Sequence, residues 1–138
     1  MIKRTLPYAG MLHEVVEHNG VLYLAGIVSE DLSLDMKGQA EDCMRQLRTL
    51  LAAHGSDMNH VLQATIYIAD LAEKPAFDAV WKASFAEGQW PARAGIGADR
   101  KRAAVQIDQH AVTDRRLALR GDDTGGNSGD GLCLDRYR

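Results

Sequence analysis

The chain has 138 residues, 46% of them hydrophobic and 25% charged, with a formal net charge of −3. That length suits one domain with a real core, while the acidic balance and a sequence pI near 5.9 argue against nucleic acid as the main partner, since phosphate contacts call for a basic surface. Cys43 and Cys133 lie far apart without a C-x-x-C pair, the opening residues hold no apolar run of signal-peptide length, and no stretch of about 18 apolar residues occurs; a disulfide framework, a zinc site and a membrane helix are thereby disfavoured, and a reducing cytoplasm fits best.

In chain order, the first clear signal is "VVEHNGVLYLAG". Asn19-Gly20 is the favoured type I′ pair, because both central residues of that turn need φ > 0. Val15-Val16 and Val21 to Ala25 flank it with strand character, so a hairpin is predicted. Gly26 follows the second strand and gives room for a bulge or for close approach of another backbone.

From Gly38 to His54 the spacing predicts an amphipathic helix. Ala40, Cys43, Met44, Leu47, Leu50, Leu51 and His54 make its stripe, and Gly55 ends it. "HVLQATIYIAD" reads as a strand, with Leu62, Ala64, Ile66 and Ile68 on one face and Val61, Gln63, Thr65 and Tyr67 on the other. A second helix is predicted from Pro75 to Ala86, with Phe77, Val80, Trp81, Ser84 and Phe85 as its stripe and Gly88 after it. "PARAGIGA" and "AAVQIDQHAV" then read as strands joined by "DRKR".

The resulting order is β-β-α-β-α-β-β, an α+β layout in which two helices pack on one face of a mixed sheet. Beyond about Thr113 the periodicity is lost. The expected organisation is one domain over residues 1–113 and a flexible Gly/Asp-rich tail over 114–138. "DDTGGNSGDG" lacks the acidic spacing of a calcium loop.

Motifs that carry chemistry are scarce: no G-x-S-x-G elbow, no phosphate loop and no H-E-x-x-H. His13, His18, His54, His60 and His110 show no metal-ligand spacing, so surface or capping roles are expected and no metal site is assigned. Arg93 in "QWPARAG" is different. It opens a predicted strand, small residues surround it, and no acidic residue stands close in sequence. A guanidinium offers a planar fork of donors suited to a carboxylate. That carboxylate belongs either to a ligand or to an acidic side chain on a neighbouring strand.

"NGVLYLAGIV", "LLAAHGSDMNHVL", "QATIYIADL", "FDAVWKASFA", "PARAGIGA" and "VQIDQHAV" together resemble, in order and spacing over roughly residues 14–112, the Rid/YjgF family of reactive intermediate deaminases, also known as endoribonuclease L-PSP. The resemblance implies a chorismate-mutase-like fold and a homotrimer with ligand clefts between subunits. It further implies cofactor-free hydrolysis of small 2-imino and 2-enamino acids to 2-keto acids and ammonia. Carried over residue by residue, it puts the carboxylate clamp at Arg93 and the water-positioning group at Gln106. It adds Tyr8, Ala25, Gly26 and Asp78 as substrate-binding positions.

At several of these positions the chain departs from the family. Gln106 stands where active members carry an acid, Asp78 where they carry asparagine, and Ala25 where a polar residue is usual. Asp108 shares the strand face of Gln106. The partner implied is a small carboxylate-bearing metabolite, with no membrane and no nucleic acid. A non-catalytic trimer that binds or senses such a carboxylate is the alternative, and RNA cleavage the least supported.

Overall fold

The computed structural model describes residues 1–99 and 103–112. The expected tail, the calcium-loop question and most of the "DRKR" connection lie outside the described residues. Among the described residues there are seven strands: β1 (Lys3–Tyr8), β2 (Leu12–His18), β3 (Val21–Leu24), β4 (Ile27–Val28), β5 (Val61–Ile68), β6 (Ala92–Gly97) and β7 (Val105–Val112). The two α-helices among the described residues are α1 (Met36–Ala53) and α2 (Lys74–Ser84).

The sheet runs β1-β2-β3-β7-β5-β6, with β4 also paired to β7. All pairs are antiparallel except β5 with β6, which are parallel and joined through α2. This is the expected mixed sheet. The core lies between its inner face and the helices: Leu22, Ile66 and Ile107 from the strands meet Leu47, Leu51 and Phe77 from α1 and α2, each at most 1% exposed. No helix among the described residues is long and apolar enough to cross a membrane.

Local chemistry sets the boundaries. Asn19 and Gly20 have φ of 51° and 75°, as the predicted turn requires. Helix α1 begins two residues before the predicted Gly38, because the Asp35 carboxylate caps it by accepting from the Gly38 N–H at 2.8 Å. At its other end Gly55 takes φ 74°, and the Ser56 N–H donates to the Leu51 carbonyl at 2.9 Å, the closing bond of a Schellman motif. Helix α2 stops at Ser84 rather than Ala86, yet Phe85 stays buried at 7%.

Three features depart from the sequence reading. The first is β1, which a turn through Ala9 (φ 53°) and Gly10 (φ 65°) folds back on β2. The second is the two-residue β4, which takes over from β3 along β7: Tyr23 pairs with His110, then Ile27 with Ile107. The third is a bulge between Val61 and Gln63. It turns Val61 into the core at 6% and leaves Leu62 49% exposed, so the predicted faces hold only from Ala64 onward.

Candidate functional site

Strand β7 presents alternate faces. Val105, Ile107, Gln109 and Ala111 are buried toward the helices, while Gln106, Asp108 and His110 project to the opposite, uncovered face. On that face Gln106 Nε2 donates to Asp108 Oδ1 at 3.1 Å. Both side chains crowd the backbone where β3 gives way to β4. A Cβ added at Gly26 would run into Gln106 Nε2 and would lie 2.6 Å from Asp108 Oδ1. Gly26 leaves room for these two side-chain ends, which would have to shift for a larger residue; the close approach expected there is made by side chains and not by another backbone.

The parting of β2 from β4 opens a cavity of about 670 Å³. Four of the predicted positions line it together: Tyr8, Ala25, Gly26 and Gln106. Glu14, Gln46 and Arg45 add polar lining. Tyr8 arrives there because β1 pairs back on β2, setting Tyr8 against Leu12.

One wall is fastened by Asp42 of α1, a residue that the sequence reading passed over. Its Oδ2 accepts from Ser29 Oγ (3.0 Å), the Glu30 N–H (2.8 Å) and Gln46 Nε2 (3.1 Å), and its Oδ1 lies 2.6 Å from Arg45 Nη2. Burial would raise this carboxyl, but these four partners overcome it and hold the group at about 2. Because the folded value lies below the ordinary carboxylate range, the stabilisation is complete above about pH 4 and is lost as pH falls toward 2. Stability against denaturant should therefore fall as pH drops from about 4 toward 2, and Asp42→Asn should lessen that fall at the cost of lower stability at pH 7; the same pH dependence in both proteins would contradict this.

Arg93 lies elsewhere. It pairs with Ala64 across β5 and β6, and Ala64 pairs with Gln109 of β7, so Arg93 belongs to the helix-side face, opposite to Gln106. Its side chain is 6% exposed. The guanidinium carbon stands 5.3 Å from the ring centre of Trp81 and 5.8 Å from that of Phe77, both on α2. Arg93 Nη2 is 2.8 Å from Asp78 Oδ1, and Asp78 Oδ2 is 2.7 Å from Lys74 Nζ.

The acidic partner is therefore inside the chain, on a helix rather than on a neighbouring strand. Chain distance hid it: Asp78 precedes Arg93 by a helix and a loop, yet the parallel β5-α2-β6 crossover lays α2 over β6. The i, i+4 spacing of Lys74 and Asp78 signals only their own pair on α2, not the one with Arg93. The same pairing sets the negative charge of Asp78 against Arg93 and Lys74.

The remaining candidates play local parts. His54 holds the Leu50 carbonyl through Nδ1 (2.8 Å) and Thr5 Oγ1 through Nε2 (3.0 Å), and His60 Nδ1 meets Asp57 Oδ1 at 2.7 Å. Burial, helped by the charge of Asp42, pushes the Cys43 thiol up to about 12, which makes it inert. Among the described residues no group of three or more His, Cys, Asp or Glu could hold a metal. Gln109 is 1% exposed, and neither of its amide atoms finds a hydrogen-bond partner among the described residues.

A mixed sheet with two helices on one face, a cleft where a strand is interrupted and an arginine at the start of the edge strand define an α+β domain of the YjgF type. The family model for Endoribonuclease L-PSP matches residues 2–113, and the chain belongs to that family, the Rid/YjgF proteins. It is 34% identical over 85 residues to the RutC family protein YoaB of Escherichia coli, covering 62% of this chain and 74% of that protein. It superposes with a TM-score of 0.76 on NMB1025, a YjgF family member from Neisseria meningitidis, at 33% identity over 83% of this chain and 96% of the other. The RidA structure from an Antarctic Psychrobacter shares the fold at a TM-score of 0.70 and 22% identity, with 79% and 94% of the chains covered.

Proposed function

We propose that this chain is a hydrolytic deaminase of small 2-imino and 2-enamino acids, assembled as a homotrimer whose ligand clefts lie between copies. The observation that carries the reading is Arg93: a nearly buried guanidinium on an aromatic platform, opening the edge strand of the sheet, with a half-exposed carboxylate as its counter-ion. Such a group can exchange that carboxylate for one on a ligand. Family membership supports the substrate class.

Assembly from several copies is supported by two features. Arg93 and Gln106 occupy opposite faces of one sheet, so a ligand touching both needs a second copy. The uncovered face and its margins also leave Tyr23, Leu62 and Ile96 exposed at 45%, 49% and 37%. A cytoplasmic setting accords with the buried, reduced Cys43.

In this reading Arg93 holds the carboxylate and draws electron density from the imine carbon. Gln106 orients a water; its amide cannot act as a base, but the Asp108 carboxylate bonded to it can accept a proton. The water oxygen bonds to the imine carbon as the C=N π pair moves to nitrogen; Asp108 takes one water proton and passes it to that nitrogen, then an oxygen lone pair forms C=O as the C–N bond breaks, and the departing ammonia takes the remaining hydroxyl proton. An iminium zwitterion plus water gives a 2-keto acid anion and ammonium.

The test is to generate 2-iminopropionate in situ with an amino-acid oxidase and follow its absorbance. Decay should speed up in proportion to added protein. Decay equal to that in buffer would sink the enzymatic reading.

A second reading, a carboxylate-binding trimer without turnover, is favoured by Gln106 standing where an acid is expected. Calorimetric binding without turnover would establish it. Endoribonuclease activity has the least support, since His54 and His60 are engaged by Thr5 and Asp57.

A further inference from the structure

Resting on that reading, we propose that Asp78 selects among small carboxylates, admitting to Arg93 those that carry a protonated nitrogen beside the carboxylate. Arg93 is 6% exposed and Asp78 37% exposed, so Asp78 is the outer member of their pair. An incoming carboxylate that uses the Nη2 edge of Arg93 takes the place that Asp78 Oδ1 now holds, 2.8 Å away.

For a plain carboxylate this exchange brings nothing new. One anion replaces another on the same guanidinium, and the two anions then stand side by side, with Lys74, 2.7 Å from Asp78 Oδ2, to share between them. A ligand with an ammonium or iminium group next to its carboxylate meets a different balance. A carboxylate has about four lone-pair sites, and Arg93 and Lys74 approach one on each oxygen. The ligand's N–H donors can use the others, so Asp78 trades one cation for another.

The consequence for turnover is direct. Substrate, as the iminium, carries the nitrogen that satisfies Asp78. Product, as the 2-keto acid, has lost it. Asp78 then returns to Arg93 and the product leaves. Asp78 is in this sense a specificity-determining residue that separates substrate from product, and its aspartate identity, where the resembled family has asparagine, is what provides the negative charge.

The test compares wild type with the isosteric Asp78→Asn, titrated by calorimetry with pyruvate, which lacks the nitrogen, and with alanine, a stable amino-acid stand-in for the iminium. Wild type is expected to favour alanine. The variant should bind pyruvate at least about tenfold tighter and alanine at least about tenfold weaker, and pyruvate should become a stronger inhibitor of imine turnover. Affinities that move together for both ligands, or do not move, while wild type still hydrolyses imine, would overturn the role of Asp78 and leave the deaminase reading intact. No binding of either ligand to either protein, together with no turnover, would overturn both. Should Asp78→Asn not fold, wild type alone decides: pyruvate binding tighter than alanine contradicts the proposal.

Discussion

Arg93→Ala is expected to lose imine hydrolysis by about 100-fold or more, equivalent to about 2.7 kcal/mol of transition-state stabilisation. In the proposed reaction Arg93 supplies both position and charge, and no other described cation shares its place on β6. A stability loss should accompany the change, because the side chain fills space over Phe77 and Trp81 and pairs with Asp78. That loss should be moderate, about 1–3 kcal/mol, since Asp78 is more than a third exposed and keeps Lys74 at 2.7 Å. Arg93→Lys separates the two effects: it retains a charge for Asp78 but not the planar fork, so it should fold nearly as wild type and remain slow. Denaturant unfolding measured beside the imine assay checks both. Full turnover in Arg93→Lys would show that the fork is not used.

Phe77→Ala should produce the largest stability loss, about 3–5 kcal/mol. Phe77 is 0% exposed, packs against Trp81 with ring centres 6.1 Å apart, and through it reaches Phe85, whose ring is 4.7 Å from that of Trp81. Its removal leaves a cavity between α2 and the sheet and also strips part of the platform under Arg93. For a domain of this size the loss is a large share of the total stability. A urea midpoint close to that of wild type would contradict the packing described.

Where local chemistry decides an element, the chain could be read directly. Asn19-Gly20 demanded its turn, and the stripe from Ala40 to Leu51 demanded a helix, ended by Gly55. Strand β1 escaped because "KRTLPY" contains Pro7 and a positive-φ Leu6, a composition that only an edge strand tolerates. The bulge at Val61 to Gln63 escaped because period-2 alternation continues through it on paper, while the extra residue moves Val61 inward. At the candidate site, Tyr8, Ala25, Gly26 and Gln106 were named from the chain and share one cavity. The Arg93–Asp78 pair was not foreseen, since it depends on how α2 lies over β6, and spacing along one chain does not carry that geometry.

The central claim is that one working site takes Arg93 from one copy and Gln106 from another. Co-expression of Arg93→Ala with Gln106→Ala, each inactive alone, tests it most directly. Random assortment in a trimer restores both wild-type residues in about a quarter of the clefts, so the mixture should regain imine hydrolysis near that fraction of the wild-type rate. A mixture no faster than the sum of the two variants would show that Arg93 and Gln106 do not meet across subunits.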